Sequence, residues 1–142
     1  MKIIISLFAM FIGGLIYIFF RNESLTMFTW FQQMGLSFYV ELLRDWAAPI
    51  KASLPHAVIY SVPNALWYLS GMLAFSAIWH EQKEKIIWVA LPSTIAFGAE
   101  IGQHYKIVSG SFNLTDILMM IFALAVFIIL ENYTNKIRHN EY

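Results

Sequence analysis

Glu100, Gln103 and His104 stand at positions i, i+3 and i+4 of one apolar stretch, so in a helix they share a face. A carboxylate, a carboxamide and an imidazole on one face can hold a cation, pass a proton or grip a polar headgroup. Asp116 follows a short turn that carries Gly110, Ser111 and Phe112, and it adds a second carboxylate. Residues 86–130 are otherwise almost entirely apolar. An ionisable group within such a stretch is costly to bury in a membrane and by default marks a functional site. A buried acid of this kind suits proton transfer or reversible cation binding.

Two further polar residues are candidates for the same site. His56 follows Pro55, and Asn64 follows Pro63 one to two turns further on. Pro63 cannot donate to the carbonyl of Ile59, so a kink is expected there, with Asn64 at the weak point. Pro92 should similarly free the carbonyl of Trp88. Packing is expected to bring His56 and Asn64 beside Glu100 and Asp116.

Each candidate also has a plainer role. Asn113 is a good N-cap for a following helix, and Asp116 then falls at N3, as in a capping box beside the positive helix end. Glu100 could reach interfacial water or pair with Lys106 or His104. His56 could be an interfacial residue only. His56, Glu100, His104 and Asp116 could supply nitrogen and oxygen ligands, but no zinc motif is present, and neither a metal nor a cofactor is expected. Ser61, Ser109 and Ser111 stand in no G-x-S-x-G setting. No phosphate-cradling glycine loop occurs.

The elements that must position these residues follow from composition. Of 142 residues, 59% are hydrophobic and 13% charged, against roughly 25% charged in soluble domains. The expected class is therefore an all-α integral membrane protein forming one domain over residues 1–142. Nine basic and nine acidic residues give no net charge, and a nucleic-acid partner is not expected. The chain has no cysteine, which excludes disulfides, thiolate metal sites and cysteine nucleophiles.

Four apolar runs approach the ~20 residues a helix needs to cross a bilayer. They are residues 3–20, 56–79, 86–103 and 114–130. The first is longer than a signal-peptide core of roughly 7–15 residues and lacks an A-x-A site, so it is read as a retained span. Residues 25–46 are read as an amphipathic interfacial helix, with a fifth span as the alternative. Thr29, Gln33, Ser37, Glu41 and Arg44 fall on one arc, opposite Met27, Phe31, Met34, Phe38 and Leu42. Pro49 and Pro55 are expected to bracket a connector over residues 50–54.

Residues 81–85 read as a solvated turn, and residues 132–142 as a frayed polar tail anchored by Lys136 and Arg138. Ala9-x-x-x-Gly13 and Gly98-x-x-x-Gly102 are small-residue pairs that allow close helix packing. The Gly98 and Gly102 face lies opposite Glu100. A thin excess of basic residues favours a cytoplasmic C-terminus and puts the loop after Gln103 outside.

Glu100-x-x-Gln103, then Gly110-x-Phe112, then Asp116 opening the last span resembles the VanZ-like group of small bacterial membrane proteins. Residues 60–67, Tyr-Ser-Val-Pro-Asn-Ala-Leu-Trp, are similar to members of that group as well. The resemblance covers residues 55–130. It implies a four-to-five-helix bundle in the bacterial cytoplasmic membrane, with Glu100, Gln103 and Asp116 at matching motif positions. Two departures stand out: Gly110-Ser111 lies where the group often has a basic residue, and Met120 where it often has asparagine.

Three functions are compatible with these residues. The first is a non-enzymatic protein whose outward-facing pocket binds a lipid headgroup, envelope precursor or cation through Glu100, Gln103, Asp116, His56, Asn64 and His104. The second is an accessory subunit that packs on other membrane proteins or on itself. The third is an enzyme on a lipid-linked substrate, with Glu100 or His104 as general base. A secondary transporter is disfavoured by the lack of an inverted repeat.

Overall fold

The computed structural model describes residues 1–139, with side chains through Lys136. Among the described residues the structure is all helix and loop. The order is α1 (Lys2–Phe20), α2 (Thr26–Gln33), α3 (Ser37–Lys51), α4 (His56–Tyr60), α5 (Val62–Ile78), α6 (Lys85–His104) and α7 (Leu114–His139). Three of these are long and apolar enough to cross a membrane: α1, α6 and Leu114–Lys136 of α7. They fit a multi-pass membrane protein. The 17-residue α5 is apolar but shorter.

The break before α5 corrects the expectation of one helix over residues 56–79. Backbone regularity is lost at Ser61, between α4 and α5. Pro63 then falls in the first turn of α5, where its missing N–H removes no helical bond. The chain resolves the proline by restarting the helix instead of kinking it. Pro92, in contrast, lies inside a continuous α6. Its ring faces Gly71 of α5, where an added Cβ would meet Pro92 Cγ at 3.3 Å.

The amphipathic segment is likewise two helices, not one. Gly35 adopts φ +72°, a conformation suited to glycine, and turns the chain between α2 and α3. Pro49 is held inside α3, so the connector shortens to residues 52–55. Residues 132–139 continue α7 as helix rather than fraying. The expected anchoring by Arg138 lies outside the described side chains, as do residues 140–142.

The core lies where α5 packs on α1, α6 and α7. Met72 and Leu73 are fully enclosed, with Leu69, Met120, Ala123 and Phe127 around them. The small residues of α1 face α5: Ala9 is buried, and a Cβ on Gly13 would strike the Trp67 indole at 2.6 Å. Trp67 stacks on Tyr17 and donates Nε1–H to the Met10 carbonyl at 3.2 Å. Ser6 Oγ donates to the Ser70 carbonyl at 2.8 Å, fixing the same contact lower down. Gly102 packs on Val108 of its own loop, and Gly98 is exposed with nothing near its missing side chain.

α1 and α6 run opposite to α5 and α7. Lys2, Ser76, Lys85 and Glu131 therefore gather at one end, and Tyr17, Asn64, Glu100 and Asp116 lie towards the other.

Candidate functional site

Glu100 sits in the last full turns of α6, and the loop of residues 105–113 follows that helix and leads to α7. Lys106 at φ +59° and Gly110 at φ +136° shape that loop. A Cβ at Gly110 would lie 2.6 Å from Gln103 Nε2, so the turn rests on that side chain. The loop brings Asn113 back to α6, and Glu100 Oε2 accepts the Asn113 N–H at 3.4 Å. Glu100 is only 6% exposed.

Asn113 caps α7 through its side chain, with Oδ1 accepting the Thr115 N–H at 3.0 Å. The reciprocal half of the expected capping box is absent. The Asn113 N–H is taken by Glu100, a residue of another helix, and Asp116 is left without that donor. Asp116 is 8% exposed, and its Oδ1 is buried with no hydrogen-bond partner among the described residues. It stands three residues past Asn113, whose N–H Glu100 accepts, so the two carboxylates belong to the same end of the α6–α7 junction. Neither carboxylate has a cationic partner within ion-pair distance among the described residues.

The remaining candidates divide. Gln103 is half-buried and lies against the Gly110 turn. His104 is exposed and set edge-on to Phe112, with ring centroids 4.9 Å apart. Asn64 turns to α1, where its Oδ1 accepts the Tyr17 hydroxyl at 3.4 Å. His56 is exposed and stacks on Tyr60 at 4.0 Å. Tyr60 and Tyr17 in turn hold the Arg21 guanidinium, 4.8 Å from each ring centroid. The structure thus joins Glu100, Asn113 and Asp116 and gives Asn64 and His56 other partners. Among the described residues no three of His, Asp and Glu converge as a metal-holding group.

A second buried polar cluster escaped the reading of the sequence. Lys2 Nζ meets Glu131 Oε2 at 2.7 Å and donates to Ser76 Oγ at 3.1 Å. Ser76 donates to the same carboxylate oxygen at 2.5 Å, and Lys85 binds the other oxygen. Lys85 is therefore not part of a purely solvated turn. The available signal was positional: Lys2, Lys85 and Glu131 all fall at ends of apolar runs that meet on one side of the bundle.

No family model matches the chain, and no curated protein or solved structure matches it either.

Proposed function

We propose that this is a non-enzymatic membrane protein that takes up a small cation at the Glu100–Asp116 carboxylate pair. One observation carries the reading: Asp116 Oδ1 is buried without a partner among the described residues, three residues past the Asn113 whose N–H a second buried carboxylate, Glu100, accepts. Two like charges in a water-poor setting are costly unless one carboxyl takes a proton or a cation stands between them. Both carboxylates are buried, so a small cation suits them better than the headgroup or envelope precursor also expected there. Asn113 belongs to the site as its organiser, because it ties the loop to Glu100 and starts α7.

In this reading α1, α4–α5, α6 and α7 provide four membrane crossings, and α2–α3 lies in the interface. The membrane is the bacterial cytoplasmic one, as the VanZ-like resemblance implies. The end bearing Lys2, Lys83, Lys85 and Lys136 faces the cytoplasm. Glu100 and Asp116 then face outward.

The test is thermal unfolding of the detergent-solubilised protein during titration with sodium, potassium, magnesium or calcium chloride. One of these should raise the midpoint of the native protein beyond a matched choline chloride control. Asp116→Asn and Glu100→Gln should each abolish the rise. A rise that survives both substitutions would refute the assignment.

A second reading, an accessory subunit of a membrane complex, is favoured by the outer face of α6. Gly98 is exposed there beside Ile95 and Ile101, which are 63% and 57% exposed. Purification as a monomer with no partner after mild crosslinking would count against it.

A further inference from the structure

The geometry points to a headgroup site for an aminophospholipid, in the groove between the end of α1 and the α2–α3 pair. The inference rests on the interfacial placement of α2–α3 proposed above. It concerns a site separate from Glu100 and Asp116.

Three adjoining cavities of about 270, 220 and 260 Å³ form the groove, and Glu23 and Arg44 line all three. Arg44 is a fixed cation. Its Nη1 donates to the Ile18 carbonyl at 2.8 Å, its Nε meets Glu23 at 3.1 Å, and its guanidinium lies 5.1 Å from the Phe28 ring centroid. Lys51 lines two of the cavities and brings a second positive charge. Glu41 and Asp45 bring negative charge to the same groove.

Charge of both signs selects the chemistry. A purely anionic headgroup would meet Glu23, Glu41 and Asp45, and a purely cationic one would meet Arg44 and Lys51. A phosphate joined to a primary ammonium satisfies both sets: phosphate towards Arg44 and Lys51, ammonium towards Glu41 and Asp45. A quaternary ammonium has no N–H to donate to those carboxylates, so choline fits less well.

The apolar surroundings supply the place for the chains. Phe38, Leu42 and Trp46 recur every four residues along α3 and are 68%, 58% and 71% exposed. Such a stripe enters the acyl boundary when a helix lies in the interface. Phe19 lines the middle cavity and meets Trp46, with ring centroids 6.4 Å apart. The apolar wall therefore runs from α1 to α3 directly beside the charged groove.

The test places the full-length protein in nanodiscs of equal parts phosphatidylethanolamine, phosphatidylglycerol and phosphatidylcholine. Lipids retained on release into mild detergent are then counted by native mass spectrometry. Phosphatidylethanolamine should be retained several-fold over the other two. Lys51→Gln and Asp45→Asn should each remove that preference without changing elution or helicity; both residues are exposed and serve no structural bond described above. Equal retention of the three lipids, or a preference that survives both substitutions, overturns the site.

The chain has no cysteine, so Leu42→Cys can carry a single environment-sensitive fluorophore. Blue-shifted emission in nanodiscs without lipid preference overturns the headgroup site alone. Unshifted emission overturns the interfacial placement, and the site with it.

Discussion

Lys2 and Glu131, 129 positions apart, form a 2.7 Å ion pair with side chains 7% and 14% exposed. The pair joins the first turn of α1 to α7. Ser76 and Lys85 extend it to α5 and α6, so one carboxylate holds four helices. Removing one partner from a buried pair leaves the other charge stranded, which costs far more than replacing both. Glu131→Leu should destabilise the protein by about 3–5 kcal/mol. Adding Lys2→Met should cost less than the sum of the two single changes. Thermal unfolding in detergent, arranged as a double-mutant cycle, measures the coupling.

Asp116 and Asn113 should respond in opposite senses. Asn113→Ala removes the acceptor for the Thr115 N–H and should cost about 1 kcal/mol. Asp116→Asn removes a buried charge with no partner, so the cation-free protein should unfold at the same or a higher temperature. The same substitution should abolish stabilisation by the cation. A stability loss from Asp116→Asn in choline buffer would show that the carboxylate has a structural partner.

The small residues of α1 and α6 should also separate. Gly13→Ala places a methyl group against the Trp67 indole and near the Pro63 carbonyl. Overpacking of this kind costs about 1–3 kcal/mol. The shift of Trp67 should also appear in the near-ultraviolet circular dichroism. Gly98→Ala meets nothing within 4 Å and should leave the monomer as stable or stabilise it by about 0.5–1 kcal/mol. Loss of a crosslinked partner on Gly98→Leu, with the monomer intact, would support the accessory-subunit reading.

Gly35 sets the angle between α2 and α3 through its φ of +72°. Gly35→Ala should cost about 1–2 kcal/mol, the penalty of a left-handed conformation for a residue with a Cβ. There is open space around the site, so the effect should be backbone strain alone. A change of that size in the unfolding midpoint, with α-helical content retained, is the expected outcome.

Much of this architecture was legible in the chain because apolar runs near bilayer length have few options other than helix. Glu100 and Asp116 also stand where two consecutive apolar runs meet, which places both towards one end of the helices. The rotation of each helix about its axis was not. Asn64 and Glu100 lie towards the same end, yet the turn of α5 after Ser61 directs Asn64 to Tyr17. Periodicity reports which residues share a face, not which neighbour that face meets. The capping box misled for a similar reason. Asn113 and Asp116 have the right spacing, but a carboxylate from α6 reached the Asn113 N–H instead. Glu131 falls just past an apolar run, a place where charge is ordinary, and its partners come from three other segments of the chain.

The link between Lys2 and Glu131 has a consequence for biosynthesis. A lysine of α1 is fastened by a carboxylate of α7, which is made only after α2 to α6. Until α7 is made the Lys2 ammonium must wait for that carboxylate, while α1 is already available for insertion. A chain that stops before Glu131 would leave that charge with Ser76 alone, although α1 would still pack on α5. The same contact that ties α1 to α7 thus distinguishes a chain that already carries α7 from one that does not.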